Sequence, residues 1–171
     1  ELAEAIVGLR PINNGKIKID GKEVTGVVKD TELVGYIPED RRKTGLVLNF
    51  SVAENLIMKI VDRCAPKGIL NWRLIHNDAN DLIRTFNIKT PDSIVPVRVL
   101  SGGNQQRVVI ARELKAEPSL LIASQPTRGL DVASVEAVHS ILLQERNRGE
   151  AVLFISAELS EVMSLSDRIV V

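Results

Sequence analysis

The segment Leu100-Ser101-Gly102-Gly103-Asn104-Gln105-Gln106-Arg107 opens a run of helical periodicity that reaches Lys115, with Pro118 just beyond its end. A serine and two glycines at a helix start leave several backbone N–H groups uncovered. With the Ser101 hydroxyl and the positive end of the helix dipole, these groups suit a phosphate oxyanion. The same residues also fit a plain serine N-cap followed by flexible glycines. Further on, the apolar run 119–124 passes into Gln125-Pro126-Thr127-Arg128-Gly129-Leu130-Asp131, and near the other end of the chain Pro38 leads into the charged loop Glu39-Asp40-Arg41-Arg42-Lys43.

These candidates need elements to position them. Residues 1–9 read as a helix with no capping residue before Glu1, and residues 15–24 alternate polar and apolar around a glycine turn, which predicts a hairpin. Residues 33–38 read as a buried strand that proline ends. Ser51 with Glu54 forms a capping box that opens a helix over 52–61. Apolar residues at Leu70, Leu74, Leu82, Ile83 and Phe86 predict another over 70–86. Residues 87–99 form an irregular linker with two prolines. There follow a helix capped by Ser101 and running to Lys115, a strand over 119–124, a helix over 132–147 stopped by Gly149, a strand over 151–156, a short helix over 159–165 and a last strand over 168–171. Helices alternating with purely apolar strands imply an α/β fold, with a parallel sheet covered on both faces.

Composition bounds the function. The 171 residues suffice for one domain with a sizeable core. The 22 basic and 22 acidic residues cancel, so nothing suggests a general attraction to nucleic acid or to an anionic membrane. The lone Cys64 excludes an internal disulfide framework and fits a reducing compartment. The longest apolar stretches fall far short of the roughly 20 residues of a membrane helix. The first residues carry no basic region and do not read as a signal peptide. Trp72 and Phe86 are expected in the core of the helical insert, Arg41-Arg42-Lys43 on a solvated face, and His76 and His139 on the surface, without metal-ligand spacing. No metal site is expected.

The string at 100–106 resembles the signature motif of ATP-binding cassette (ABC) proteins in its LSGGNQQ form. Residues 119–131 resemble the family's Walker B strand and D-loop, and residues 151–169 its H-loop region. Gly35-Tyr36-Ile37-Pro38-Glu39-Asp40 resembles the Q-loop, and residues 8–24 the hairpin after the Walker A helix. The resemblance implies a P-loop NTPase three-layer sandwich. Residues 1–43 and 100–171 would form its RecA-like core, and residues 44–99 a helical subdomain and linker. LSGGNQQ, PTRGLDV and EDRRK…GL…SVAEN are most similar to the second nucleotide-binding domain of double-domain ATPases serving bacterial importers of simple sugars and nucleosides. The Gln125–Asp131 variant is nearest the nucleoside branch.

Departures from the family pattern fall on one site. Where the family has Asp-Glu to organise Mg²⁺ and the attacking water, this chain has Ser124-Gln125; Ala157 stands at the H-loop histidine and Glu39 at the Q-loop glutamine. No Walker A pattern occurs in the chain, and in the family that loop ends just before a helix such as 1–9. The resemblance therefore implies a cassette lacking the Walker A strand and loop, in which no catalytic residue of its own site is intact. Ser101, Gly102, Gly103, Asn104, Gln105 and Asp131 would instead contact ATP held by a partner domain. Glu39 and Asp40 would serve the Q-loop and coupling, within a docking region over 39–50.

The parent protein would use ATP and Mg²⁺, with none expected on this chain alone. Its partners would be the first nucleotide-binding domain of the same polypeptide, transmembrane permease subunits and, indirectly, an extracytoplasmic substrate-binding protein, but no nucleic acid. It would work at the cytoplasmic face of the plasma membrane. A DNA-repair or chromosome-organising ATPase also carries an LSGG-type signature but places a long coiled coil before it, and the segment between Glu39 and Ser101 has no sustained heptads. A non-catalytic structural module is a third reading.

Overall fold

The computed structural model describes residues 1–24, 33–65 and 68–171. The parts of the expected core and helical regions at 25–32 and 66–67 lie outside the described residues. In chain order the elements are α1 (Leu2–Ile6), the hairpin strands β1 (Lys18–Ile19) and β2 (Lys22–Glu23), β3 (Val34–Ile37), a π-helical turn at Arg41–Gly45, α2 (Val52–Ile57), α3 (Val61–Cys64) and α4 (Trp72–Thr85). A 3-10 turn at Val97–Val99, α5 (Gly102–Lys115), β4 (Leu120–Ser124), α6 (Val132–Asn147), β5 (Ala151–Ile155) and α7 (Leu159–Leu165) complete them. β3, β4 and β5 form a parallel sheet in that order, with Val34 opposite Leu120 and Leu120 opposite Ala151.

Alternation along β4 divides the interior. Leu121 and Ala123 enter a core shared with α2, α4, α5 and α6, while Ile122 points to the other face, against Ala3, Val7, Ile19 and Val34 from α1, the hairpin and β3. The sheet is thus covered on both sides, as a parallel sheet of apolar strands requires, and the expected three-layer α/β arrangement is present. α2 packs on α4 and α5, and α5 packs on β3.

One buried carboxylate ties these layers together. Glu113 of α5 accepts from the backbone N–H of Tyr36 at 2.9 Å, from Arg112 at 3.0 Å and from Lys59, whose ammonium also donates to the carbonyl of Val34. The signature helix is therefore bonded to the strand that leads to Glu39.

Several expectations need correction. The helix expected over 52–61 is two helices, because the chain turns at 58–60, where Lys59 reaches Glu113. The segment 39–43, expected as a loop, holds the start of the π-helical turn, which Asp40 caps by accepting from the N–H groups of Arg42 and Lys43. α4 begins at Trp72 behind the Asn71 cap and buries Ile75, Ala79 and Leu82. Leu70 and Leu74 fall off that stripe, and Trp72 is 47% exposed rather than in the core. Residues 168–171 form no strand. A strand exists through pairing of its backbone groups; these residues do not pair with the edge of β5, and Val170 and Val171 lie exposed.

Candidate functional site

Ser101 sits extended (φ −61°, ψ 159°) and caps α5, its Oγ accepting from the N–H of Asn104 at 3.4 Å and from the Asn104 side-chain amide at 2.9 Å. Asn104 also accepts from the backbone N–H of Lys89 at 2.7 Å, so the helix start is tied to the linker before it. Gln105 is buried and donates to the carbonyls of Val97 and Leu100. These bonds tie the first turn of α5 to the segment that leads into it. Ser101 itself is exposed, beside the first-turn amides of α5.

The two glycines lie close against neighbours, Gly102 against the flexible end of Arg41 and Gly103 against the short Ser134 side chain. A Cβ on Gly102 would lie 2.7 Å from the Arg41 guanidinium, and a Cβ on Gly103 would collide with the Ser134 hydroxyl. Ser134 donates to Asp131 at 2.8 Å, and Asp131 accepts from the Ser134 N–H at 3.0 Å as the cap of α6. Those hydrogen bonds hold the Asp131 carboxyl below its usual range. Arg41 also donates to the carbonyl of Arg128 at 3.1 Å. The segments 101–105 and 128–134 therefore form one packed unit. Arg41 departs from the expected solvated face: its Nε is enclosed without a partner, and burial, reinforced by Arg42 and opposed by Asp40, lowers its pKa.

At the C-terminal ends of the sheet strands, Ser124 pairs with Ile155, and the N–H of Gln125 donates to the Ile155 carbonyl at 2.8 Å. Gln125 holds φ +48°, a left-handed conformation that a non-glycine residue adopts at a cost. Ala157 lies exposed just past β5. Behind this rim, Glu161 of α7 gathers three donors: Thr127 at 3.0 Å, Ser156 at 2.7 Å and His139 at 3.0 Å. Burial pushes this carboxyl up, but the bonds from Ser156, Thr127 and His139 together outweigh it and hold the pKa below its usual value. His139 is therefore part of a polar cluster rather than a free surface residue. The partners stand 5, 22 and 34 residues from Glu161 in the sequence, so no local spacing announces them.

Glu39, Asp40 and Ser124 line an open cleft of about 510 Å³ beside α1. Glu39 is paired with Arg128, and the acids Glu1 and Glu4 line the same cleft as Arg41 and Arg42. Burial, with Glu4 and Glu39 adding to it, raises the Tyr36 phenol. This cleft lacks the excess of donors that a polyphosphate requires, and Ser124 gives no carboxylate for a divalent ion. Among the described residues no group of three His, Cys, Asp or Glu could hold a metal, and no helix is long and apolar enough to cross a membrane.

The chain is similar to known proteins over its whole length. The chain is 45% identical over its whole length to the guanosine import ATP-binding protein NupO of Bacillus subtilis and 44% identical to the nucleoside import ATP-binding protein NupA of Lactococcus lactis. It is 37% identical to the ribose import ATP-binding protein RbsA of Bacillus cereus. It spans 34–35% of the length of these relatives. A dimeric structure of MJ0796, a bacterial ABC transporter cassette, overlays 95% of the chain and 71% of its own with a TM-score of 0.76 at 20% identity, a likeness of fold. The ABC transporter family pattern matches residues 1–128, and with these relatives it shows that the chain belongs to the ABC transporter family.

Proposed function

We propose that the chain is the second nucleotide-binding domain of an importer ATPase for simple sugars or nucleosides, and that its signature completes an ATP site whose phosphate loop lies on a first domain of the same polypeptide. The contact between Gly103 and Ser134 carries this reading, because it makes the exposed Ser101, the α5 amides and Asp131 one preformed surface. That surface fits polyphosphate oxygens: the Ser101 hydroxyl and the Gly102 and Gly103 amides would take the terminal phosphate, with Asn104 and Gln105 holding the loop. Bound there, ATP and Mg²⁺ supply the phosphoryl group and its charge neutralisation.

The chain's own strand ends support the opposite role for its own site. Ser124 offers no charge, Gln125 cannot take a proton from water at neutral pH, Ala157 has no polar side chain, and Glu39 is engaged by Arg128. Hydrolysis would therefore be asymmetric. Residues 1–43 and 100–171 would act as the ATPase core and 44–99 as the helical part. The segment 39–50 would dock a membrane permease that receives its cargo from an extracytoplasmic binding protein, at the cytoplasmic face of the membrane. The printed functions of the relatives favour nucleosides or ribose-like sugars as cargo.

The test is ATPase turnover of the whole protein with Ser101→Trp. Turnover is expected to collapse, and unchanged turnover rejects the trans role of the signature. The chain alone is expected to bind ATP weakly and not to hydrolyse it. Micromolar affinity by calorimetry contradicts that.

A further inference from the structure

Parts of α3, α4, α5 and α6 enclose a second open cleft, of about 730 Å³. Neither Ser101, Asp131 nor Ser124 lines it. Its size is that of small-molecule sites, roughly 300–1,000 Å³. Its apolar wall is built from Leu82, Phe86, Leu114 and Ile141, and its basic side chains are Arg63, Arg107, Lys115 and Arg148, against the acids Glu117 and Glu145.

These charges are in different states. Arg107 donates to the carbonyls of Phe86 at 3.2 Å and Asn87 at 3.0 Å, so it covers the negative end of α4. Arg148 donates to Glu145 at 2.7 Å; burial raises the pKa of that carboxyl, with Arg148 opposing. Lys115 is a half-buried residue beside Leu114 on the wall of the cleft, and its ammonium makes no hydrogen bond or ion pair among the described residues. A cation that no acid of the chain pairs, next to apolar surface, suits a ligand that brings a negative group and an apolar body together.

We propose that this cleft binds a small amphipathic anion: a planar apolar body carrying a carboxylate, sulfonate or phosphate. The head group lies on Lys115, with Arg148 at its edge, and the body on Phe86, Leu114 and Ile141. The site is independent of the signature surface. Because α4 forms one wall and α5 and α6 the others, an occupant ties the helical part of the chain to the helices that cover the sheet. Binding then stabilises the folded chain as ligand concentration rises.

Anilinonaphthalene sulfonate has the required chemistry and reports its own burial by fluorescence. Titrated into the folded chain, it is expected to bind saturably at one site and to raise the melting temperature. Lys115→Glu removes the head-group contact and breaks no native bond. Ala137→Trp fills the cleft from α6. Each is expected to weaken binding about tenfold with an unchanged circular dichroism spectrum. Trp72→Ala, which removes the main exposed aromatic surface elsewhere, is expected to leave binding intact. Unsaturable fluorescence, a loss in both cleft variants of less than about threefold, or abolition by Trp72→Ala overturns the proposal.

Discussion

The hydroxyl of Ser134 occupies the space that a Cβ on Gly103 would need. Ser134 is at the same time bonded twice to Asp131, so the position of the Asp131 carboxylate is fixed against the start of α5. The start of α5 and the acidic cap of α6 thus share one contact, and a shift of one disturbs the other. The glycine serves this approach as well as any ligand.

The two signature glycines should consequently respond differently to alanine. At Gly102 the colliding atom is the far end of the flexible Arg41 side chain, which can move aside, and alanine gains helix propensity. At Gly103 both the Oγ and the Cβ of the short Ser134 side chain are in the way. Gly103→Ala should lose about 1–3 kcal/mol in urea unfolding, whereas Gly102→Ala should change stability by less than about 1 kcal/mol. Ser134→Gly should recover much of the Gly103→Ala loss. Equal effects at the two positions would show that the contact is not tight.

Much of the fold was legible because its punctuation is local. α5, α6 and α7 have the expected bounds, since Ser101 and Asp131 cap two of them and Gly149, in a left-handed conformation, follows the end of α6. What escaped the sequence depends on distant partners. The Glu161 cluster joins side chains from four segments, the break between α2 and α3 holds Lys59 in its bond to the distant Glu113, and 168–171 has strand composition but no strand beside it. The signature and Asp131 could be singled out from their motifs. Their mutual contact could not, because it rests on Ser134, a residue with no distinguishing neighbours in the sequence.

Two ion pairs of similar appearance should differ widely in worth. Glu39 and Arg128 are about half and two-thirds exposed, so water competes for both charges. Glu39→Gln should alter stability by less than about 1 kcal/mol. Glu113 is 2% exposed and serves Lys59, Arg112 and the Tyr36 amide together. Glu113→Ala leaves the Tyr36 N–H and the buried Arg112 guanidinium without their carboxylate and Lys59 with the Val34 carbonyl alone, and should cost about 3–5 kcal/mol. Chemical denaturation of both variants decides the matter; a comparable loss at Glu39 would mean that its pair is far less solvated than its exposure indicates.

The partly buried Glu161 and the buried Glu145 should give pH dependences of opposite sign. The hydrogen bonds from Ser156, Thr127 and His139 hold the folded pKa of Glu161 below its unfolded value, so the unfolded chain binds more protons across that interval. The stabilisation is fully present above the unfolded pKa and is lost as pH falls through the folded one. Burial, only partly opposed by Arg148, raises the folded pKa of Glu145. Its stabilisation is present below the unfolded pKa and is lost as pH rises through the folded one. Glu161→Gln should therefore lower stability at neutral pH by about 1–3 kcal/mol and flatten the acid limb of the stability curve. Glu145→Gln should raise stability at neutral pH relative to the parent chain and change little at the acid end. Urea melts from acid to neutral pH measure both. If Glu145→Gln destabilised the chain at neutral pH, the bond to Arg148 would outweigh burial and the sign assigned to Glu145 would be reversed.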